Sequence, residues 1–309
     1  MIVLWIVLGI LVSLFALSFV FLRIVCGRNE RFIKNFDKAI QNPVYAPCKD
    51  LISEGKHWVD AHKPQEVHTT SFDGLKLAGE YIPTENARAT AILFHGWNAS
   101  PITDFGPGLP YYQSLGLNLL LVHQRAQGKS EGKYMTFGVR ERHDVHTWVA
   151  WHKQNFGELP VLLAGLSMGA STVMMACGTP LDSVVKGVIA DCGFTSPYEI
   201  ICSVLRTIHL PVQPIISMIG LQTKLFAGFG LKEYSTEESL KQMKLPLLLA
   251  HGEADTFVPC HMSQTAYDIC ASEDKQFLSV PNASHGMSFI VRPQEYQTAL
   301  RDFTNRCLN

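Results

Sequence analysis

Six short apolar runs recur along the chain, and their order limits the fold more than any other feature of the sequence. They are Ala89–Phe94 (ATAILF), Leu117–Val122 (LNLLLV), Pro160–Gly165 (PVLLAG), Val184–Ala190, Leu245–His251 (LPLLLAH) and Gln276–Val280. Continuous rather than alternating hydrophobicity marks strands covered on both faces, as in a parallel sheet. Helical stretches separate the runs; Val139–Gln154, for instance, brings Val145, Trp148, Val149 and Trp151 near one face. Buried strands alternating with helices imply an α/β fold, a mostly parallel sheet with helices on both faces. Ahead of the first run, Val67–Thr70 and Leu75–Tyr81 flank the turn signal Asp73-Gly74 and read as a hairpin.

Two segments fall outside this rhythm. Residues 195–244 offer helices and turns but no strand, punctuated by Pro197, Pro211, Pro214, Gly220, Gly228 and Gly230, and read as an inserted helical cap. The first 22 residues carry no charge, enough as a helix of roughly 1.5 Å per residue to cross a bilayer core of about 30 Å. Nothing basic precedes Arg23, which argues against a cleaved signal peptide. Residues 1–28 are therefore expected to form a single-pass transmembrane anchor in the cell membrane. Arg23, Arg28, Arg31, Lys34 and Lys38 all follow the span and put the following domain on the cytoplasmic side. Residues 29–64 read as a helical connector with breaks at Asn42-Pro43 and Ala46-Pro47, and residues 65–309 as the main domain. Every expected strand lies beyond residue 64, so removing residues 1–28 should leave the chemistry intact.

The chemistry is carried by Gly165-Leu166-Ser167-Met168-Gly169, placed between an apolar strand and the helical run Ser171–Ala176. That is the setting a G-x-S-x-G elbow requires: the serine on a strained strand-to-helix turn, with the helix N-terminus supplying amide donors for a developing oxyanion. With it go Phe94-His95-Gly96-Trp97-Asn98 after the first apolar run, His251-Gly252-Glu253-Ala254-Asp255-Thr256-Phe257-Val258-Pro259 after the fifth, and Pro281-Asn282-Ala283-Ser284-His285-Gly286-Met287 after the last. Together these motifs resemble the α/β-hydrolases, in particular the branch similar to serine aminopeptidases and monoacylglycerol lipases, from about residue 65 to the C-terminus. The resemblance implies the α/β-hydrolase fold with a cap, Ser167 as nucleophile, Asp255 as orienting acid, His285 as base, and the backbone amides of Trp97 and Met168 as the oxyanion hole. Glu253 is a rival carboxylate that falls off the motif. The stretch His123-Gln124-Arg125-Ala126-Gln127-Gly128-Lys129-Ser130 departs from the family's D-x-R-G-x-G-x-S, which bears on loop structure and not on the triad.

The expected activity is that of a serine hydrolase cleaving a carboxylic ester, lipophilic or acyl, through an acyl-enzyme. An aminopeptidase or amidase on the same triad is the alternative, and a non-catalytic anchored scaffold a further one. Apolar cap residues such as Ile200, Ile201, Leu205, Ile216, Leu225 and Phe226 suit an acyl chain, but would equally serve to pack the cap on the core. A peptidase for free N-termini would need carboxylates to hold an ammonium, and nothing marks Glu199, Glu233, Glu237 or Glu238 as a pocket. No cofactor is implied, because neither a phosphate-cradling glycine loop nor a dinucleotide fingerprint occurs. His143 and His146 lack a third ligand at metal spacing, so no metal is expected. A net charge of −1 without a basic stripe argues against nucleic acid. The expected partners are a small-molecule ester or acyl substrate and, through the N-terminal helix, the membrane.

Overall fold

A computed structural model describes residues 1–29, 40–41 and 43–309. All six apolar runs and both arms of the hairpin are strands of one sheet: β1 (Gln65–Thr70), β2 (Lys76–Ile82), β3 (Ala89–Phe94), β4 (Leu117–His123), β5 (Val161–Leu166), β6 (Val185–Asp191), β7 (Leu247–Gly252) and β8 (Lys275–Val280). Their spatial order is β1-β2-β4-β3-β5-β6-β7-β8. β2 runs antiparallel to β1 and β4, and the remaining neighbours are parallel.

Strand period two sorts the central residues onto two cores. Ile92, Phe94, Leu120, Val122 and Leu163 face one helical layer with Trp148 and Val173, while Ala91, Leu93, Leu119, Leu121 and Leu162 face the other with Leu109, Leu300 and Phe303. The helices used below are α1 (Ile2–Val25), α2 (Lys49–His62), α3 (Pro101–Phe105), α4 (Leu109–Ser114), α5 (Glu141–Phe156) and α6 (Met168–Ala176). Between β6 and β7 the chain forms α7 (Pro197–Thr207), α8 (Val212–Gln222), a π-turn (Thr223–Ala227) and α9 (Thr236–Leu240) without a strand. α10 (His261–Ile269), α11 (Ser288–Val291) and α12 (Pro293–Leu308) complete the chain.

The N-terminal helix corrects the expected membrane anchor. Among the described residues no helix is long and apolar enough to cross a membrane. The C-terminal part of α1 is built into the domain. Leu22 and Cys26 are buried among Ile216, Ile219 and Phe229 of the insertion between β6 and β7. Gln222 Nε2 donates to the Phe15 carbonyl (2.8 Å) and to Ser18 Oγ (2.6 Å), and Phe19 meets Phe226 edge-on at 5.1 Å. Past the helix, the Met135 amide donates to the Cys26 carbonyl (2.7 Å) and Arg28 Nη2 to that of Gly128 (2.8 Å). The stretch of α1 before Ser18 is only about 24 Å long at 1.5 Å per residue, short of a bilayer core of roughly 30 Å. Neither the transmembrane helix nor a membrane partner reached through it is supported. Of the basic flank from which orientation was read, Arg31, Lys34 and Lys38 lie outside the described residues, as does Asn42 of the expected connector break.

Candidate active site

Two glycines let the elbow form. A Cβ on Gly165 would lie 2.2 Å from the Gly169 carbonyl oxygen, and one on Gly169 would lie 1.8 Å from that of Phe94. Any side chain at either place would separate α6 from the ends of β3 and β5. Between them Ser167 adopts φ 56°, ψ −115°, a left-handed conformation that costs a non-glycine residue of order 1–3 kcal/mol and is held by its surroundings. The Ser167 amide donates to the Asp191 carbonyl (2.8 Å), and its own carbonyl accepts from the Ser171 amide (3.1 Å). Met168 opens α6, so its amide is one of the donors a helix leaves without an internal acceptor.

The loops after β7 and β8 bring the other two motif residues to this serine. Ser167 Oγ donates to His285 Nε2 at 2.9 Å, and His285 Nδ1 donates to Asp255 Oδ2 at 2.7 Å. Asp255 Oδ1 accepts the amides of Phe257 and Val258, each at 2.9 Å. His251, at the end of β7, is fully buried. Ser263 Oγ donates to its Nδ1 (2.6 Å), and its Nε2 donates to the Val258 carbonyl (2.8 Å) and faces Asp255 Oδ2 (3.2 Å). Burial raises the Asp255 carboxyl, but the hydrogen bonds from His251 and His285 outweigh it and bring the group down to about 2. The rival Glu253 points away, accepting from Ser279 Oγ at 2.8 Å at the surface.

Trp97 follows the end of β3 on a loop tied down from three sides. His95, buried and pushed down to about 3 by that burial, is a neutral imidazole whose Nδ1 donates to the Gly96 carbonyl at 2.9 Å. The Gly96 amide donates to Asp104 Oδ2 on α3 at 2.6 Å. The Trp97 indole donates to the Val25 carbonyl of α1 at 2.6 Å. In the nearby stretch 123–130 Arg125, which keeps the arginine of the family pattern, is buried with its guanidinium held by Asp144 (2.6 and 2.7 Å) and Asp73 (2.9 and 3.2 Å). Ala126 carries φ 59° there, where the family has glycine.

A cavity of about 420 Å³ opens onto Ser167 and His285, within the range of small-molecule sites. Its apolar wall includes Ile24 of α1, Trp97, Leu166, Phe257, Phe289 and Ile290. No residue from 195 to 244 lines it. The apolar cap residues pack instead: Ile200, Ile201, Leu205 and Ile216 are buried with Leu22 and Met168. Sequence reasoning therefore missed α1 as a wall of the cavity, and it missed His251 and Asp104. His251 stood inside a recognised motif without a role, and a single aspartate in a polar loop carries no signal of its own. His143 and His146 do not converge: His143 packs on Phe72, while His146 Nε2 meets Thr179 Oγ1 at 2.9 Å.

No protein-family model matches the chain. The Bacillus subtilis protein YqkD is 24% identical over 232 residues, 74% of this chain and 75% of its own. The lysophosphatidylserine lipase ABHD12 of Danio rerio is 25% identical over 210 residues, 62% of this chain and 51% of that longer one. Among solved structures, the Pyrococcus furiosus esterase Pf2001 superposes with a TM-score of 0.67 at 25% identity, covering 84% of this chain and 94% of that one. The sheet order, the surrounding helices and these likenesses together give the chain the α/β-hydrolase fold and support a place in that superfamily.

Proposed function

Starting from a hydrolase fold shared with esterases, we propose that this protein is a serine hydrolase that cleaves carboxylic esters by acyl transfer. The observation that carries the reading is the unbroken hydrogen-bond chain from Ser167 Oγ through His285 to Asp255. Ser167 attacks the carbonyl while His285 takes its proton; Asp255 holds the imidazole with Nδ1–H toward itself and stabilises the imidazolium. The amides of Trp97 and Met168 receive the oxyanion. His285 then protonates the departing alcohol, and a water activated by the same histidine releases the acid and regenerates the serine. The apolar lining supports a lipophilic acyl group, and α1 contributes Ile24 to that wall.

A fluorophosphonate probe should label the protein in one place, and mass spectrometry should map the adduct to Ser167. Ser167→Ala should lose both labelling and esterase activity, with a cost in kcat of about 10⁴–10⁶. An alanine variant that still labels, or that keeps more than a few per cent of turnover, would refute the assignment.

A further inference from the structure

Asp104 is a carboxylate beside the reacting centre that the acyl-transfer steps do not use. It stands on α3, whose start is fixed by the reciprocal Ser100–Thr103 capping box. Oδ2 accepts the Gly96 amide at 2.6 Å, while the nearest donor to Oδ1 among the described residues is the Thr103 hydroxyl at 3.4 Å. An ionised carboxylate offers about four acceptor sites, so the described partners leave most of its capacity to the cavity that Asp104 lines. A Cβ on Gly96 would lie 3.2 Å from Asp104 Oδ2 and 3.2 Å from Ser167 Cβ. The two groups are therefore no further apart than twice that distance.

Among the described residues, the carboxylates facing the cavity, Asp104 and Asp191, meet no lysine or arginine there. Asp191 is engaged by the Ser288 hydroxyl at 3.1 Å and by Tyr296. Burial pushes Asp104 up to about 6 even though the Gly96 amide, the charge of His285 and the Thr103 hydroxyl all oppose the rise. With a substrate carbonyl roughly 3–3.5 Å from Ser167 Oγ, the spacing between Ser167 and Asp104 leaves room for an amine on its α-carbon to turn toward Asp104 and form a charge-assisted bond of about 2.7–2.9 Å.

We infer that Asp104 is a specificity-determining residue that favours substrates carrying a protonated amine next to the scissile carbonyl. This rests on Ser167 being the nucleophile. The test compares two phenyl esters of one shape, alanyl and isobutyryl, in which an ammonium replaces a methyl group. Asp104→Asn keeps an acceptor for the Gly96 amide and removes the charge, so the readout is the ratio of kcat/KM for the two esters. Wild type should prefer the alanyl ester, and D104N should lower that ratio at least tenfold, the low end for a hydrogen bond to a charged group. A ratio equal in the two proteins overturns the inference, even if both activities fall together, because a loop anchor alone would act on both esters alike. A wild type with no preference for the alanyl ester overturns it whatever the variant does. Fluorophosphonate labelling separates the failures. A wild type that does not label removes the serine assignment and this inference with it; labelling of both proteins with an unchanged ratio removes only the role of Asp104.

Discussion

Replacing Asp255 by asparagine exchanges one carboxylate oxygen for an NH₂ group, and the surroundings fix which way the new amide turns. Oδ1 accepts two backbone amides, so the asparagine carbonyl must take that place and the NH₂ group must take the place of Oδ2. There it meets His285 Nδ1 at 2.7 Å and His251 Nε2 at 3.2 Å. His285 can answer an N–H donor only by turning Nδ1 into an acceptor, which puts its proton on Nε2 against the Ser167 hydroxyl. That tautomer cannot serve as base, and kcat should fall by up to about 10⁴ with the structure kept. His251 cannot answer in the same way, because its Nε2 proton is committed to the Val258 carbonyl. A buried donor–donor contact remains, and stability should drop by about 1–3 kcal/mol. Initial rates on a soluble ester and urea unfolding measure the two effects separately. Glu253→Gln removes only a surface contact with Ser279 and serves as the comparison. An Asp255→Asn loss below tenfold, or a Glu253→Gln loss as large, would refute the assignment of the acid.

Gly169→Ala should destabilise by at least the 1–3 kcal/mol of an overpacked core, with a large fall in kcat, because the clashing partner at 1.8 Å is backbone and no rotamer relieves it; a soluble variant of unchanged melting temperature would contradict this. Arg125→Met leaves Asp144 buried without its partner, and unfolding free energy should fall by about 3–5 kcal/mol; a change under 1 kcal/mol in a urea titration would show that the pair is not coupled. Deleting residues 1–28 should lower kcat/KM on a short soluble ester by tenfold or more, since Ile24 leaves the cavity wall and the Trp97 indole loses its acceptor. Near-normal turnover after that deletion would restore the expectation that α1 is dispensable.

The sheet was legible because a strand covered on both faces must be apolar throughout, and six such runs carry that mark without help from the rest of the chain. The convergence of Ser167, Asp255 and His285 was legible because each sits in a motif just past a strand end, where loops converge on one edge of a parallel sheet. The apolar parts that escaped share one physical origin, which is that hydrophobicity says a residue leaves water and not what it meets. A charge-free α1 reads the same whether lipid or a groove beside α8 receives it. Ile200, Leu205 and Ile216 read the same whether they line a cavity or fill a core. His251 and Asp104 escaped for a different reason, since hydrogen-bond partners such as Ser263 Oγ and the Gly96 amide are far off along the chain or carried by the backbone, and composition records neither.

The hydrogen bond from the Trp97 indole to the Val25 carbonyl makes the N-terminal helix and the loop after β3 a thermodynamically linked pair. Whatever seats α1 more firmly also narrows the range of positions open to that loop, and the coupling is reciprocal by necessity. A phosphonate adduct on Ser167 that engages the loop should therefore shift α1 toward its docked state by the same free energy with which a docked α1 tightens the adduct's fit. Amide hydrogen exchange in residues 18–26 then becomes a gauge of occupancy at the serine, read from the opposite end of the chain.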